Sequence, residues 1–235
     1  MTPALELAAL SSGYRGAIVV RGLSLVVQPG EIVALLGKNG MGKSTVLKTI
    51  MGLIAAKAGA VKLLGDDVTG EPAHLVARRA VAYSPQERAL FQDLSVEQNL
   101  RLGLPGGRGD FAAELIRIGT LFPVLPKRLR QRAGTLSGGE QKMLLLGRAL
   151  ISRPRLMLVD EISEGLQPSV IERLTAVLKA ERDAAGTAML VVEQNVGFAL
   201  SVADRYAVLK RGEIVDEGAV AADGVAARVN RLLEV

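Results

Sequence analysis

The stretch GKNGMGKST, Gly37 to Thr45, constrains the fold more than any other part of the chain. EIVALL (31–36) precedes it, a short apolar run that reads as a buried strand, and VLKTIMGL follows with apolar residues at helical spacing. A strand, a glycine-rich turn and a helix opening on Lys-Ser form the context that the phosphate-binding pattern GxxxxGK[ST] requires. Gly37, Gly40 and Gly42 let the backbone turn tightly and approach a ligand with no Cβ in the way. The amides of the turn and of the first helical turn then point at a phosphate chain. Lys43 adds a point charge for the terminal phosphates, and the Ser44 hydroxyl can ligate Mg²⁺.

Hydrophobic residues make up 49% of the 235, aromatics only 3%, and Trp is absent, so the core must be aliphatic, which suits parallel strands. There is no Cys, which excludes a disulfide framework and thiolate metal sites. No run approaches the roughly 18–20 apolar residues of a membrane span. The opening MTPALELAAL has no basic leader and carries Glu6, so a signal peptide is not expected. These features together predict a soluble, cytosolic chain. The net charge of +5 permits anionic partners, but the basic residues are scattered, with RLRQR (128–132) the densest group and no aromatics among them. A solvated mixed-charge surface with no nucleic-acid partner is expected.

The first thirty residues read as short antiparallel strands, with Pro29-Gly30 turning into the strand before the glycine loop. AVKLLG (60–65) and VAYSPQ (81–86) read as strands, and PAHLVARR between them as a short surface helix carrying the single histidine, His74. From Glu87 to Thr135 the character becomes helical: LSVEQNL is capped by Ser95 with Gln98 three residues on, LPGGRGD (104–110) is a loop, and FAAELIRIGTLF has helical periodicity. The basic PVLPKRLRQRAG follows, bounded by Pro. The α/β alternation then resumes: a helix from SGGEQKMLLLGRALIS, the strand RLMLVDE (155–161) and a helix closed by Gly186. The strand TAMLVVEQN, a short helix VGFALSVAD and a hairpin around Arg211-Gly212 complete the pattern. The expectation is one α/β domain with a mainly parallel core sheet and a small N-terminal antiparallel part (1–86 and 136–235), plus an inserted helical lobe (87–135).

Two further pieces carry chemistry. LMLVD delivers Asp160 at the carboxyl end of a strand, where ligands sit in open α/β sheets, and Asp160 can hold Mg²⁺. Glu161 follows and can orient and deprotonate a water. LSGGEQ (136–141) puts Ser137 and two glycines at a helix start, a second anion-binding surface. Two phosphate-reading helix starts suggest a sandwiched nucleotide, although on the residues alone Ser137 also reads as a simple cap.

The phosphate loop, LSGGEQ about 23 residues before Asp160, and the Asp-Glu pair together resemble the ATP-binding cassette ATPases of ABC transporters, over essentially the whole chain. The resemblance implies the P-loop NTPase cassette fold, ATP and Mg²⁺ as ligands, and further roles. Tyr14 matches the adenine-stacking aromatic. Lys38, Asn39, Met41 and Thr45 fall within the ATP-binding loop. Gln86 matches the glutamine that senses Mg²⁺, water and the transmembrane partner, and so joins Ser44 and Asp160 as a metal residue. Ser137, Gly138, Gly139 and Glu140 match the signature that contacts ATP bound to the opposite subunit, and Glu161 matches the catalytic base.

SPQERALFQDLSVEQNL, LSGGEQKMLLLGRALISRPRLMLVDEISEGLQPS and VVEQN further resemble the branched-chain amino-acid importer ATPases of the LivF type and their urea or amide relatives. That resemblance implies transmembrane permeases, a second cassette chain (identical or different) and, indirectly, a periplasmic or extracellular binding protein. It also implies a place on the cytoplasmic face of the membrane. An exporter ATPase or a soluble non-transport ATPase is the alternative. Ile162 replaces the usual Pro, Gln167 the usual Asp, and Gln194 the histidine that contacts the γ-phosphate in most cassettes. A glutamine can hydrogen-bond a phosphate oxygen but cannot take up a proton or carry a positive charge, so Gln194 is expected to serve a weaker catalytic role in an asymmetric pair.

Overall fold

The computed structural model describes residues 2–86, 90–104, 106 and 109–234. In chain order, β1 (Leu5–Ser12) and β2 (Val20–Val27) precede β3 (Ile32–Leu36), which runs into the glycine loop and α1 (Lys43–Ile50). β4 (Ala56–Leu63), the two-residue β5 (Asp66–Asp67), α2 (Ala73–Val76) and β6 (Val81–Ser84) follow. Next come α3 (Val96–Arg101), α4 (Phe111–Leu121), α5 (Val124–Lys127) and the long α6 (Gly138–Leu150). The chain closes with β7 (Leu156–Asp160), α7 (Pro168–Ala185), β8 (Ala188–Glu193), α8 (Val196–Val202), β9 (Arg205–Lys210), β10 (Glu213–Ala219) and α9 (Val225–Glu234).

Two sheets result. A six-stranded sheet has the order β10-β9-β3-β8-β7-β6, and a four-stranded one the order β2-β1-β4-β5. The large sheet is parallel from β9 to β6, with only β10 antiparallel, and the small sheet is antiparallel throughout. Side chains alternate across the large sheet as the pleat demands. Ile32, Ala34 and Leu36 of β3, with Met189 and Val191 of β8, face a core shared with α3 to α9. Val33, Leu35, Leu190 and Val192 face a second core shared with α1 and the small sheet. Burial on both faces explains why β3, β7 and β8 read as unbroken apolar runs.

Local chemistry sets most element ends. Ser95 and Gln98 form a reciprocal capping box on α3, Asp110 caps α4, and Gly186 closes α7 in the left-handed conformation. Arg211 and Gly212, with φ of 51° and 86°, make the positive-φ turn that a tight hairpin favours. One expectation needs adjusting. β4 begins at Ala56 rather than near residue 60, because its first residues pair with the end of β1 although they lack an apolar alternation. There the ladder slips between Ala8 and Ser11, and Gly59 (φ 82°) lies so close to Ala8 that a Cβ would meet its carbonyl oxygen at 2.4 Å. The basic segment after Pro123 holds α5 and a 3₁₀ turn at Ala133–Thr135, within the segment expected to be mostly helical. Parts of the 104–110 loop and the start of the helical segment at 87 lie outside the described residues.

The helical segment rests on Ile118, Phe122 and Leu125, all fully buried in the core that also holds Leu100, Leu144 and Leu146. Replacing Phe122 with Ala should cost about 3–5 kcal/mol of stability, read as a lower denaturant midpoint at unchanged slope. A midpoint within error of the wild type would show that this segment does not share the main core.

Candidate active site

The carboxyl ends of β3, β8 and β7 lie side by side, and they bring residues 37, 193 and 160 to one edge of the sheet. Gly42 opens α1 at φ 103°, and a Cβ there would meet Val19 at 3.1 Å, so the loop must be glycine at this point. The Lys43 ammonium is almost fully buried. It donates to the carbonyls of Gly37 (2.7 Å) and Lys38 (3.1 Å) and pairs with Glu161 Oε1 at 2.8 Å. All three of its protons therefore have protein acceptors.

Asp160 and Glu161 sit where β7 ends. The Ser44 hydroxyl donates to Asp160 Oδ1 at 3.1 Å, and Tyr83 donates to Oδ2 at 3.4 Å. Burial raises the Asp160 carboxyl above the usual range and the neighbouring Glu161 adds to this, while the Ser44 and Tyr83 hydrogen bonds oppose it. Burial likewise pushes the Tyr83 phenol up, with Asp160 adding to the effect. Glu161 adopts φ 45°, which is disfavoured for a residue with a Cβ, and its amide is held by the Val192 carbonyl at 2.9 Å. Its Oε2 accepts from Gln86 Nε2 at 2.7 Å, and the same amide group reaches Glu164 at 3.0 Å. From α6, Lys142 reaches the carbonyls of Gln86 and Glu161 at 3.3 and 3.5 Å.

A cavity of about 470 Å³ lies over this arrangement, lined by Tyr14, Val19, Asn39, Gly40, Gly42, Lys43, Ser44, Thr45, Gln86 and Glu161. Most of the residues singled out in the sequence thus converge. Tyr14 is half exposed at its margin, as a stacking platform for an aromatic ring would be. Other loop residues face away from it. Lys38 reaches the Glu234 carbonyl at the end of α9 (3.4 Å), and the Met41 sulfur accepts from the Arg211 amide (3.3 Å). Gln194 is exposed just beyond β8 and does not line the cavity.

The Ser137–Glu140 group lies elsewhere. Ser137 caps α6 in a capping box with Glu140, and Arg128 holds Glu140 Oε1 at 3.1 Å. Hydrogen bonding from the Ser137 backbone and hydroxyl, with Arg128 adding, lowers the Glu140 carboxyl despite some burial. None of these four residues lines the cavity around Lys43, although Gly138 shares a smaller adjoining cavity with Gln86 and Lys142.

The donor set suits a hard cation. Ser44 and Asp160 offer an all-oxygen pair, and no cluster of three or more His, Cys, Asp or Glu suited to a metal occurs among the described residues. A cation there would need phosphate and water oxygens to complete its shell, as Mg²⁺ commonly does.

Sequence reasoning missed Glu193. Its carboxylate is buried and accepts from the Ser163 amide (3.0 Å) and hydroxyl (2.8 Å). Burial raises its carboxyl above the usual range, the Ser163 bonds oppose this, and Glu161 adds to the rise. The signal was a single carboxylate closing the otherwise apolar AMLVVE.

The glycine loop, the buried lysine and the paired acids define a P-loop ATPase. The family model described as ABC transporter matches residues 20–164. The chain is 42% identical over 212 residues to the high-affinity branched-chain amino acid transport ATP-binding protein BraG of Pseudomonas aeruginosa, covering 88% of this chain and 91% of that one. It is 35% identical over 213 residues to the lipopolysaccharide export system ATP-binding protein LptB of Escherichia coli, covering 89% and 88%. A solved ATP-binding subunit of an ABC transporter superposes with a TM-score of 0.83 at 28% identity, covering 97% and 93%. The chain belongs to the ABC transporter ATPase family and is the ATP-hydrolysing subunit of a transporter.

Glu161→Gln should lower turnover by about 10²- to 10⁴-fold, the usual worth of a positioned base. It should bind ATP at least as tightly as the wild type, because a neutral amide competes less for Lys43. Steady-state hydrolysis and equilibrium binding of a fluorescent ATP analogue check this; turnover near the wild-type rate would remove Glu161 from the base role.

Proposed function

We propose that this chain energises the import of branched-chain amino acids or related amino acids and amides. The observation that carries this reading is the 42% identity to BraG across nearly the whole of both chains. In this reading the cavity at Lys43 takes the phosphates of ATP, Tyr14 stacks on the adenine, and the loop amides of residues 37–45 cradle the β- and γ-phosphates. Ser44 and Asp160 would hold Mg²⁺, with Gln86 able to add its amide oxygen, and the cation when bound neutralises charge on the phosphates. Glu161, released from Lys43 when phosphate oxygens take that ammonium, accepts the proton of the attacking water.

Two cassette chains close head to tail in this proposal, so that Ser137, Gly138, Gly139 and Glu140 of one cover the nucleotide of the other. That none of these residues lines the Lys43 cavity of their own chain supports this. Closure is also what would bring Gln194 to the γ-phosphate.

No helix among the described residues is long and apolar enough to cross a membrane. The proposed permease partner docks instead in a groove of about 530 Å³ lined by Arg78, Tyr83, Leu102, Leu104, Leu145 and Arg148, among others. Leu102 is exposed there, and Arg148 is half-buried, with burial lowering its guanidinium below the usual value. A cytoplasmic helix with an apolar face suits this lining, and it would place the chain at the cytoplasmic face of the membrane.

Export is the second reading, favoured by the 35% identity to LptB. Uptake of radiolabelled leucine, isoleucine and valine by the source organism separates the two. Deleting the gene should abolish high-affinity uptake, and the wild-type gene but not Glu161→Gln should restore it. Unchanged uptake together with a defect in the cell envelope would favour export.

A further inference from the structure

Glu193 is one of the few carboxylates in the interior, only 2% exposed, and no cation pairs with it among the described residues. Glu181, comparably buried, is instead neutralised by Arg117 at 3.1 Å. Burying an unpaired carboxylate is costly unless its oxygens are fully used as acceptors. Here both oxygens are used, chiefly on one residue: Oε1 takes the Ser163 amide and Oε2 the Ser163 hydroxyl, with a further backbone contribution from Asn195.

Ser163 lies two residues after Glu161, whose backbone is held at φ 45°. On its amino side that unusual residue is fixed by the Val192 carbonyl, and on its carboxyl side by Glu193 through Ser163. The Glu193 carbonyl also accepts from the Gly37 amide at 3.2 Å, where the glycine loop begins. One residue at the end of β8 thus ties the start of the phosphate loop to the turn that carries Glu161. We propose that Glu193 is a positioning residue for hydrolysis: by gripping Ser163 it fixes the turn that aims the Glu161 carboxylate beside Lys43. The inference rests on the proposed role of Glu161 as the base.

The test is ATP hydrolysis by the purified full chain across Mg-ATP concentrations. Glu193→Ala should lower kcat by about 10²-fold, the scale of a roughly 1 Å misplacement, with KM within about threefold of the wild type. Glu193→Gln should recover most of that loss, because its amide oxygen can accept the Ser163 amide while its amide nitrogen donates to the hydroxyl. Ser163→Ala should fall in the same direction, and Glu193→Ala/Ser163→Ala should be no slower than Glu193→Ala, since the two act through one contact.

A Glu193→Ala kcat within about threefold of wild type, a loss confined to KM, or additive single-variant effects would overturn the inference. A buried side chain with only a structural role would lower the thermal midpoint without the split between kcat and KM. If Glu193→Ala does not fold, Ser163→Ala and Glu193→Gln decide: unchanged kcat in Ser163→Ala, or a Glu193→Gln as slow as Glu161→Gln, overturns it. Glu161→Gln run in parallel separates the two readings. Wild-type turnover in that control removes the base assignment and this inference with it, whereas a dead control beside an active Glu193→Ala removes this inference alone.

Discussion

The ion pair between Lys43 and Glu161 is the contact on which the site depends. It joins the first residue of α1 to the residue after β7, at 2.8 Å and almost without exposure to water. A buried pair of this kind contributes little net stability, yet removing one partner costs about 3–5 kcal/mol because the other charge is stranded. Phosphate oxygens can replace the Glu161 carboxylate at Lys43 and so avoid that cost. In the proposed mechanism the same exchange frees Glu161 to act on water, which would link binding and the readiness of the base through one ammonium group.

The parallel sheet makes this contact possible. Residues 43, 161 and 193 are far apart in sequence, but β3 pairs with β8 and β8 with β7, with their carboxyl ends together. The helices then supply reach from one side: Lys142 of α6 holds the carbonyls of Gln86 and Glu161. On the other side α9 and the β9–β10 turn support the glycine loop through Lys38 and Met41. The loop is thus held from outside by residues that do not line the cavity, and Asn39, Gly40, Gly42, Lys43, Ser44 and Thr45 are left facing it.

What could be read in the sequence was whatever local chemistry dictates. The β3–loop–α1 unit, the Ser95 capping box, the Gly186 stop and the Arg211-Gly212 turn each rest on neighbouring residues, and each is legible. β4 was misplaced because its first residues become a strand only by pairing with β1 across a slipped ladder. The sequence reading ends at Gly218, although Val225 and Val229 of α9 pack into the main core. Within the site, Tyr14, Lys43, Ser44, Gln86, Asp160 and Glu161 were named in advance, but their mutual contacts were not. The Lys43–Glu161 pair and the grip of Glu193 on Ser163 depend on sheet register over more than a hundred residues and over thirty residues, respectively, which periodicity does not encode. Gln194, read as part of the catalytic set, stands exposed outside the cavity of the single chain.

The most direct test of this account is a crystal structure of the chain with Mg²⁺ and a non-hydrolysable ATP analogue. Lys43 Nζ should leave Glu161 and the Gly37 and Lys38 carbonyls for phosphate oxygens, with the Glu161 carboxylate turned toward the space beside the γ-phosphate. A nucleotide bound in the cavity while Lys43 and Glu161 remain paired at 2.8 Å would contradict it.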